Sequence, residues 1–325
     1  MRRREVIVFV CGGAVASISV DAQMAGSYRI AYLALIRGEE GALMKPFVER
    51  LRERGLIEGE NLTILYRSAE GRPERLPTLA SELVESKPDV LVAGQGTLTA
   101  LAAKQATKTV PVVFTIVGDP VGSGLVTSLG RPGGNVTGMS GQVTEIGGKR
   151  LQLVREVIPG AKVVGVLLNP TTPYSMLALQ ELRSASGSAN IDLKVLAMTA
   201  ASQLPGLLKG ASDDQVTALI VLEDPVTFSV QRELVELALQ HRLPALFGDR
   251  SFALAGGLMT YGPDRRNIFR RAAEHVEKIL KGAKPGDLAV EQPTAFEFVL
   301  NRKTASALGI ELSPMLLARA DEVIE

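Results

Sequence analysis

Short apolar runs alternate with amphipathic stretches along almost the whole chain, and this alternation constrains the fold more than any other feature of the sequence. The apolar run 29–35 is followed by a helical pattern over 41–54, and the same order recurs in 61–67 and 73–86. Such alternation is typical of βαβ units, in which parallel strands form one sheet and the helices cover it. The sequence therefore predicts an α/β protein.

The pattern is interrupted once and then starts again. The turn sequence Arg-Pro-Gly-Gly-Asn occupies 131–135 and leads into 136–140, which we interpret as a strand that crosses out of the first half. Each half holds four or five βα units, and no long Pro/Gly/Ser-rich linker separates the halves. The sequence predicts two lobes joined by several short crossing strands, a hinge that lets the lobes close as near-rigid bodies. We place one lobe at 23–140 with 261–288 and the other at 141–260 with 289–325.

One predicted strand in each half ends in the same three residues, Asp-Pro-Val. The strand 112–117 leads to Asp119, and the strand 218–222 leads to Asp224. Ligands of open α/β sheets bind beyond the carboxyl ends of the strands, so these ends predict two loops that face each other across a cleft. Asp119 and Asp224 either shape their turns, contact a ligand ammonium or form a catalytic pair.

The first residues of the chain have the pattern of an export signal. Three arginines at 2–4 precede the apolar stretch 6–20, and small residues precede Gln23. We expect a signal peptide at 1–22, cleaved after Ala22, rather than a membrane anchor or a first buried strand. No later run is long enough to cross a bilayer, so we expect a periplasmic protein without a membrane span.

Composition argues against several classes of function. The chain has 36 basic and 35 acidic residues and no basic cluster beyond its start, so we expect no nucleic-acid partner. Its one cysteine, Cys11, lies in the predicted signal peptide, and His241 and His275 are far apart, so we expect no metal site. Nucleophile-elbow and Walker A patterns are absent. We expect no catalytic residues and no cofactor.

A helix N-terminus offers a candidate anion site. The third predicted strand, 89–93, ends in Gly-Gln-Gly-Thr at 94–97, where a helical pattern begins. Backbone N–H groups at such a position bind carboxylate or phosphate, and we favour this over half of a dinucleotide fingerprint. A plain tight turn between strand and helix is the other interpretation. Tyr174 and Tyr261 lie near the predicted lobe junctions, where each either belongs to the core or offers an aromatic platform.

Several longer motifs resemble the substrate-binding components of ABC importers of the tryptophan/tyrosine type. The resemblance runs from about Arg29 to the C-terminus and is carried by 114–121, 131–138, 222–225, 256–264 and 320–325. It implies a type I periplasmic-binding-protein fold, with two Rossmann-like lobes linked by three crossing segments and a ligand held in the cleft without chemistry. The ligand-binding positions that it implies are Gln95, Gly96, Thr97, Thr115, Asp119, Asn169, Tyr174, Ser175, Glu223, Asp224 and Tyr261.

From the residues and the resemblance together we expect an exported, monomeric solute-binding protein. Its ligand would be a small carboxylate or an amino acid, aromatic or not, and its partner an ABC permease in the inner membrane. Two alternatives stay open at this point. One is a ligand-binding module for a sensory receptor or kinase, and the other is an exported hydrolase that uses Asp119 and Asp224.

Overall fold

The computed structural model describes residues 27–36, 44–94, 96–143 and 145–325. The predicted signal peptide and Gln95 lie outside the described residues. None of the helices in the described part of the chain is long and apolar enough to span a membrane.

The first half of the chain forms a five-stranded parallel sheet. Its elements are β1 (Tyr28–Ala34), α1 (Met44–Glu53), β2 (Leu62–Ser68), α2 (Leu76–Glu85), β3 (Val90–Ala93), α3 (Thr97–Ala106), β4 (Val112–Val117) and β5 (Val136–Ser140). The strand order is β2-β1-β3-β4-β5, and every neighbouring pair is parallel.

The second half forms a seven-stranded sheet. Its elements are α4 (Gly147–Val157), β6 (Val163–Leu168), α5 (Pro173–Ala189), β7 (Asp192–Ala197), α6 (Leu204–Asp213), β8 (Ala218–Val221), α7 (Pro225–Ser229), α8 (Gln231–Gln240), β9 (Ala245–Phe247), α9 (Arg250–Leu254), β10 (Met259–Pro263), α10 (Arg265–Leu280), β11 (Phe296–Asn301), α11 (Arg302–Leu308), α12 (Pro314–Arg319) and β12 (Glu322–Ile324). The order is β12-β11-β10-β9-β8-β6-β7, and only β10 and β11 pair antiparallel.

The chain passes between the two sheets three times. It leaves the first sheet after β5, returns at Asp264 into α10, which packs on α1 and β4, and leaves again over 289–295. The third segment is tied to the first sheet, since the N–H of Glu291 donates to the carbonyl of Gly138 and its carbonyl accepts from the N–H of Ser140. The two Rossmann-like lobes and the three crossing segments confirm the predicted type I periplasmic-binding-protein fold.

Each sheet is buried on both faces, which is why most of its strands read as continuous apolar runs. In the first lobe, α2 and α3 cover one face, and α1 and α10 cover the other. In the second lobe, α4, α5, α11 and α12 cover one face, and α6, α8 and α9 cover the other. Because α10 follows the second crossing, the core of the first lobe contains residues from two distant parts of the chain.

The sequence also predicts a short helix at 122–129, a crossing strand at 258–261 and a last helix at 303–308, and the structure differs from each of these predictions. Residues 122–129, predicted as a short helix, form turns, and Gly124 there has a φ of 70°. The segment 258–261, predicted as a crossing, is the start of β10, which pairs within the second sheet as far as Pro263. The helix at 303–308 is not the last, since α12 and β12 follow it. The division into lobes at 140, 260 and 288 stays a prediction.

Candidate ligand-binding cleft

A cavity lies between the lobes, where the loops that follow strands of both sheets face each other. The cavity and the part of its mouth that is open to solvent hold about 690 Å³ of empty space. Its walls expose mainly apolar surface, as is usual for small-molecule sites. The lining includes Gly96, Thr97 and Ile116 from the first lobe and Tyr174, Asp224 and Phe228 from the second.

The N-terminus of α3 forms part of the first-lobe wall. Gly96 precedes the helix with a φ of 101°, a left-handed conformation that favours glycine. The Thr99 hydroxyl donates to the carbonyls of Gly94 and Gly96, 2.5 Å and 2.8 Å away, and so fixes the turn. No side chain of the described residues caps the helix, so its first N–H groups and its dipole are directed to whatever occupies the cavity.

A buried ion pair forms part of the second-lobe wall. Glu223, directly after β8, accepts from both terminal nitrogens of Arg150, with 3.0 Å between Nη1 and Oε2. Its Oε2 also accepts from the Tyr174 hydroxyl at 2.6 Å. Burial lowers the pKa of Arg150, but the charge and hydrogen bonds of Glu223 outweigh it and raise that pKa. Burial, followed by the charge of Glu223, raises the pKa of Tyr174 well above its ordinary value, so the phenol stays neutral and donates.

Asp224 has a different environment from its neighbour. Its carboxylate caps α7 by accepting from the N–H of Val226 at 2.9 Å, and it accepts from Asn169 Nδ2 at 3.1 Å and the Thr172 hydroxyl at 2.6 Å. Burial raises its pKa above the ordinary value, although these hydrogen bonds act in the opposite direction. Among the described residues no cation forms an ion pair with Asp224, so this buried carboxylate can accept a positive group from a ligand.

We predict that Asp224→Asn stabilises the unliganded protein at neutral pH. The folded protein holds the Asp224 proton more tightly than the unfolded chain, so the free energy of unfolding falls as pH rises from about 3.8 through the raised pKa. Asparagine keeps the cap and removes this loss. Urea unfolding should show equal stabilities below pH 4 and a more stable variant at pH 7. The environment described for Asp224 would be contradicted if the stability difference, variant minus natural protein, were smaller at pH 7 than at pH 4.

A second arginine lies where the chain re-enters the first lobe. Arg265, the first residue of α10, places its guanidinium carbon 4.8 Å from the centre of the Phe228 ring. Its Nη1 lies 3.4 Å from Asp249 Oδ2. The stacked pair of Arg265 and Phe228 joins the second crossing to the second-lobe wall of the cavity.

The two lobes touch at one rim of the cavity. A Cβ atom on Gly118, just after β4, would overlap Cδ2 and Cγ of the Tyr174 ring, and one on Gly122 would lie 3.1 Å from Leu177. Gly118 and Gly122 belong to the first lobe, whereas Tyr174 and Leu177 belong to α5 in the second. The cleft is therefore closed over the cavity at this rim.

The structure brings together five of the predicted ligand positions. Gly96, Thr97, Tyr174, Glu223 and Asp224 line the cavity. Asn169 lies behind them as a hydrogen-bond donor to Asp224.

Besides Asn169, four predicted positions are not among the described residues that line the cavity. Thr115 and Ser175 are buried, and within the described chain their hydroxyls have no hydrogen-bond partner. Asp119 accepts from the N–H groups of Val121 and Gly122, which is the turn-forming role. Tyr261 stacks on Phe296 and contributes its carbonyl to Arg150.

Sequence reasoning overlooked Arg150, Phe228 and Arg265. For Arg150 a signal was present: positions 147, 151, 154 and 157 form the buried stripe of α4, and an arginine at 150 lies within that stripe. A charge on the apolar face of a helix needs a buried partner. Phe228 and Arg265 carry no such signal, because only the folded chain brings α7 next to the start of α10.

The fold and the cavity between the lobes define a binding protein with two lobes that holds a small molecule in its cleft. The described residues contain no group of three or more His, Cys, Asp and Glu side chains placed to hold a metal ion. The model of the family described as "ABC transporter substrate binding protein" matches residues 30–324. The chain belongs to this family, whose members are binding proteins.

Relatives and solved structures agree with this assignment. A curated "Tyrosine-binding protein" of Clostridioides difficile (strain R20291) is 28% identical over 267 residues, 82% of this chain and 76% of the relative. The structure of an ABC domain in complex with L-Trp from Streptococcus pneumonia matches with a TM-score of 0.85 and 25% identity, over 92% of this chain and 100% of that one.

A third comparison bears on the arrangement of the lobes. The ligand-free, open structure of a substrate binding protein with adhesive properties from Clostridium difficile also shows 25% identity, over 92% of this chain and 99% of that one. Its TM-score is only 0.68. At equal identity and coverage, the chain is thus more similar to the complex with L-Trp than to the open form, in agreement with the contact at Gly118.

Proposed function

We propose that the protein is the extracytoplasmic component of an ABC importer and that it captures an amino acid with an apolar or aromatic side chain for delivery to a membrane permease. One observation carries the choice of ligand: a mainly apolar cavity between the lobes has a helix N-terminus on one wall and, on the other, a buried carboxylate that forms no ion pair with any cation of the described residues. These two features match the two charges of an α-amino acid.

Each part of such a ligand has a suitable contact in the cavity. The first N–H groups of α3 and the Thr97 hydroxyl suit the ligand carboxylate. Asp224 suits the ligand ammonium. The positive charge of that ammonium would offset the desolvation that raises the pKa of the Asp224 carboxyl. Ile116 and Phe228 provide apolar surface for the side chain. The relatives that bind tyrosine and L-Trp support an aromatic side chain.

Location and partner follow from the family and from the N-terminal sequence. The signal-peptide pattern at 1–22 supports export, and the family supports an ABC permease as the partner. A cleft closed by the ligand gives the permease a shape that differs from the empty, open form. We propose that the protein acts as a monomer.

We predict that L-tyrosine and L-tryptophan raise the melting temperature and that analogues lacking one charge raise it less at the same concentration. Ligand at 100 times its Kd stabilises the folded state by about 2.7 kcal/mol. Matched analogues are 3-(indol-3-yl)propionate, which lacks the ammonium, and tryptamine, which lacks the carboxylate. Calorimetry should show an affinity at least about 10-fold weaker for both, because each leaves one polar wall unpaired.

The Asp224→Asn variant separates the two polar contacts. It should lose about 10-fold in affinity for the amino acid but bind the indole propionate as the natural protein does. Thermal shifts by aryl carboxylates without any shift by amino acids would overturn the proposed role of Asp224. The absence of a shift with any amino acid would overturn the ligand class.

A further inference from the structure

Arg150 is a charged residue that lies outside the cavity and yet contacts its wall. Its side chain is 1% exposed, and it projects from α4, which begins directly after the first crossing. The guanidinium faces Glu223, whose other side faces the cavity. Arg150 can therefore affect a ligand in the cavity only indirectly, through the position of Glu223.

The same guanidinium also holds the strand that leads to the second crossing. Its Nε and Nη2 donate to the carbonyl of Tyr261 in β10, at 3.2 Å and 3.1 Å. Two residues later, β10 ends at Pro263, and the chain enters the first lobe. Arg150 thus joins the start of the first crossing, the end of β10 and the cavity wall in one cluster.

Through Glu223 the cluster reaches the contact between the lobes. Glu223 Oε2 fixes the Tyr174 hydroxyl, and the Tyr174 ring lies against Gly118 of the first lobe. A side chain on Gly248 would overlap both Glu223 and Arg150, so the backbone there passes close to the pair. The three guanidinium nitrogens of Arg150 thus donate to the Glu223 carboxylate and the Tyr261 carbonyl, and both groups belong to the wall of the cleft or to the strand that leads out of it.

A buried ion pair is weak evidence of a role in stability. The desolvation of the two charges often cancels their attraction, and well-packed apolar residues in place of such a pair are frequently neutral or stabilising. A buried pair does, however, impose a fixed geometry through its bidentate hydrogen bonds. The contacts of Arg150 therefore indicate that it holds the Glu223 side chain and the backbone at Tyr261 in place.

We propose that Arg150 is a positioning residue for ligand retention. It fixes Glu223, and through Glu223 it holds the Tyr174 ring in the place where the ring closes the cleft against Gly118. Its hydrogen bonds to the Tyr261 carbonyl hold the second-lobe wall of the cavity in a fixed position relative to the second crossing. The inference rests on the proposed function, because it concerns the release of a ligand from the closed cleft.

The rate of ligand release tests this role. The chain has no tryptophan, so the fluorescence of L-tryptophan excited at the red edge of its absorption reports the ligand alone. We expect Arg150→Met to raise the dissociation rate of L-tryptophan about 10-fold and to change the association rate less than about 2-fold, since entry precedes closure. The matched control is Arg155→Met, on the exposed face of the same helix, which should leave both rates unchanged.

A double-mutant cycle shows whether Arg150 acts through Tyr174. Tyr174→Phe removes the hydroxyl that Glu223 holds and should also raise the dissociation rate. If Arg150 acts through this hydroxyl, the double variant releases the ligand no faster than the faster single variant. Independent roles predict the product of the two effects, and that result would overturn the proposal.

Folding is controlled by a second variant and by the binding stoichiometry. Arg150→Met with Glu223→Gln leaves no buried charge unpaired, and it should release L-tryptophan as fast as Arg150→Met. A structural defect lowers the fraction of protein that binds but does not change the dissociation rate of the folded fraction. Natural protein that binds neither L-tryptophan nor L-tyrosine overturns the proposed ligand. Natural protein that binds, with Arg150→Met as slow in release as Arg155→Met, overturns the role of Arg150.

Discussion

Gly118→Ala is expected to weaken ligand affinity by about 100-fold, or about 2.7 kcal/mol, without lowering the stability of the unliganded protein. The added methyl group would overlap the Tyr174 ring at Cγ and Cδ2, next to the Cβ atom that links the ring to the backbone. The ring cannot swing aside, because its hydroxyl is held by Glu223 and its side chain is buried. Only separation of the lobes relieves the overlap.

Calorimetric titration with the ligand and urea unfolding of the free protein measure the two parts of this prediction. Gly130→Ala is the matched control, because a Cβ there meets nothing within 4 Å, and it should change neither quantity. Small-angle scattering should show that saturating ligand fails to compact the Gly118→Ala protein. Full affinity and full compaction in this variant would mean that the cleft closes without contact between Gly118 and Tyr174.

Gly138→Ala is expected to destabilise the folded protein by about 3 kcal/mol or more. Gly138 lies in β5 with a φ of 153°, a conformation that other residues rarely adopt. A Cβ atom there would overlap the backbone carbonyl and amide nitrogen of Phe114 in β4, and neither can move without opening the sheet. The same residue accepts the N–H of Glu291, so the damage extends to the third crossing.

Urea unfolding of the unliganded protein measures this loss, again against Gly130→Ala. The midpoint should fall with little change in the slope, since the surface exposed on unfolding stays nearly the same. A change of less than about 0.5 kcal/mol would show that β5 shifts away from β4 at little cost, and the close approach at Gly138 would then be unimportant.

The general architecture was readable in the sequence because parallel strands that are buried on both faces have a strong signal. Runs such as 112–117 and 163–168 are apolar throughout, and amphipathic helices separate them. The sequence does not distinguish the turns at 122–129 from the short helix that it predicts there, because the glycines that set the turns also occur at helix starts. The strand β12, only three residues long, is defined by its pairing with β11 rather than by any local pattern.

The candidate site was readable only where it follows strand ends. Gly96, Thr97, Glu223 and Asp224 come directly after strands, and parallel strands bring such positions to one edge of the sheet. The twin Asp-Pro ends are not equivalent, however. Asp224 lies in the cavity wall, whereas the carboxylate of Asp119 accepts hydrogen bonds from its own turn. Both loops reach the cavity, since Gly118 also lines it, so the difference lies in the direction of each carboxylate, which local sequence does not specify.

The position of α10 has a consequence for how the chain is made. More than a hundred residues separate the end of β5 from the start of α10, yet α10 covers one face of the first sheet. At a synthesis rate of about 5–20 residues per second, roughly 7–28 s pass between the synthesis of Ser140 and that of Leu280, the last residue of the helix that completes the core of the first lobe. An early fragment ending near Ser140 has only α1 on that face, so it exposes apolar surface that α10 covers in the complete protein. The first lobe therefore stays incomplete while most of the second lobe is being synthesised.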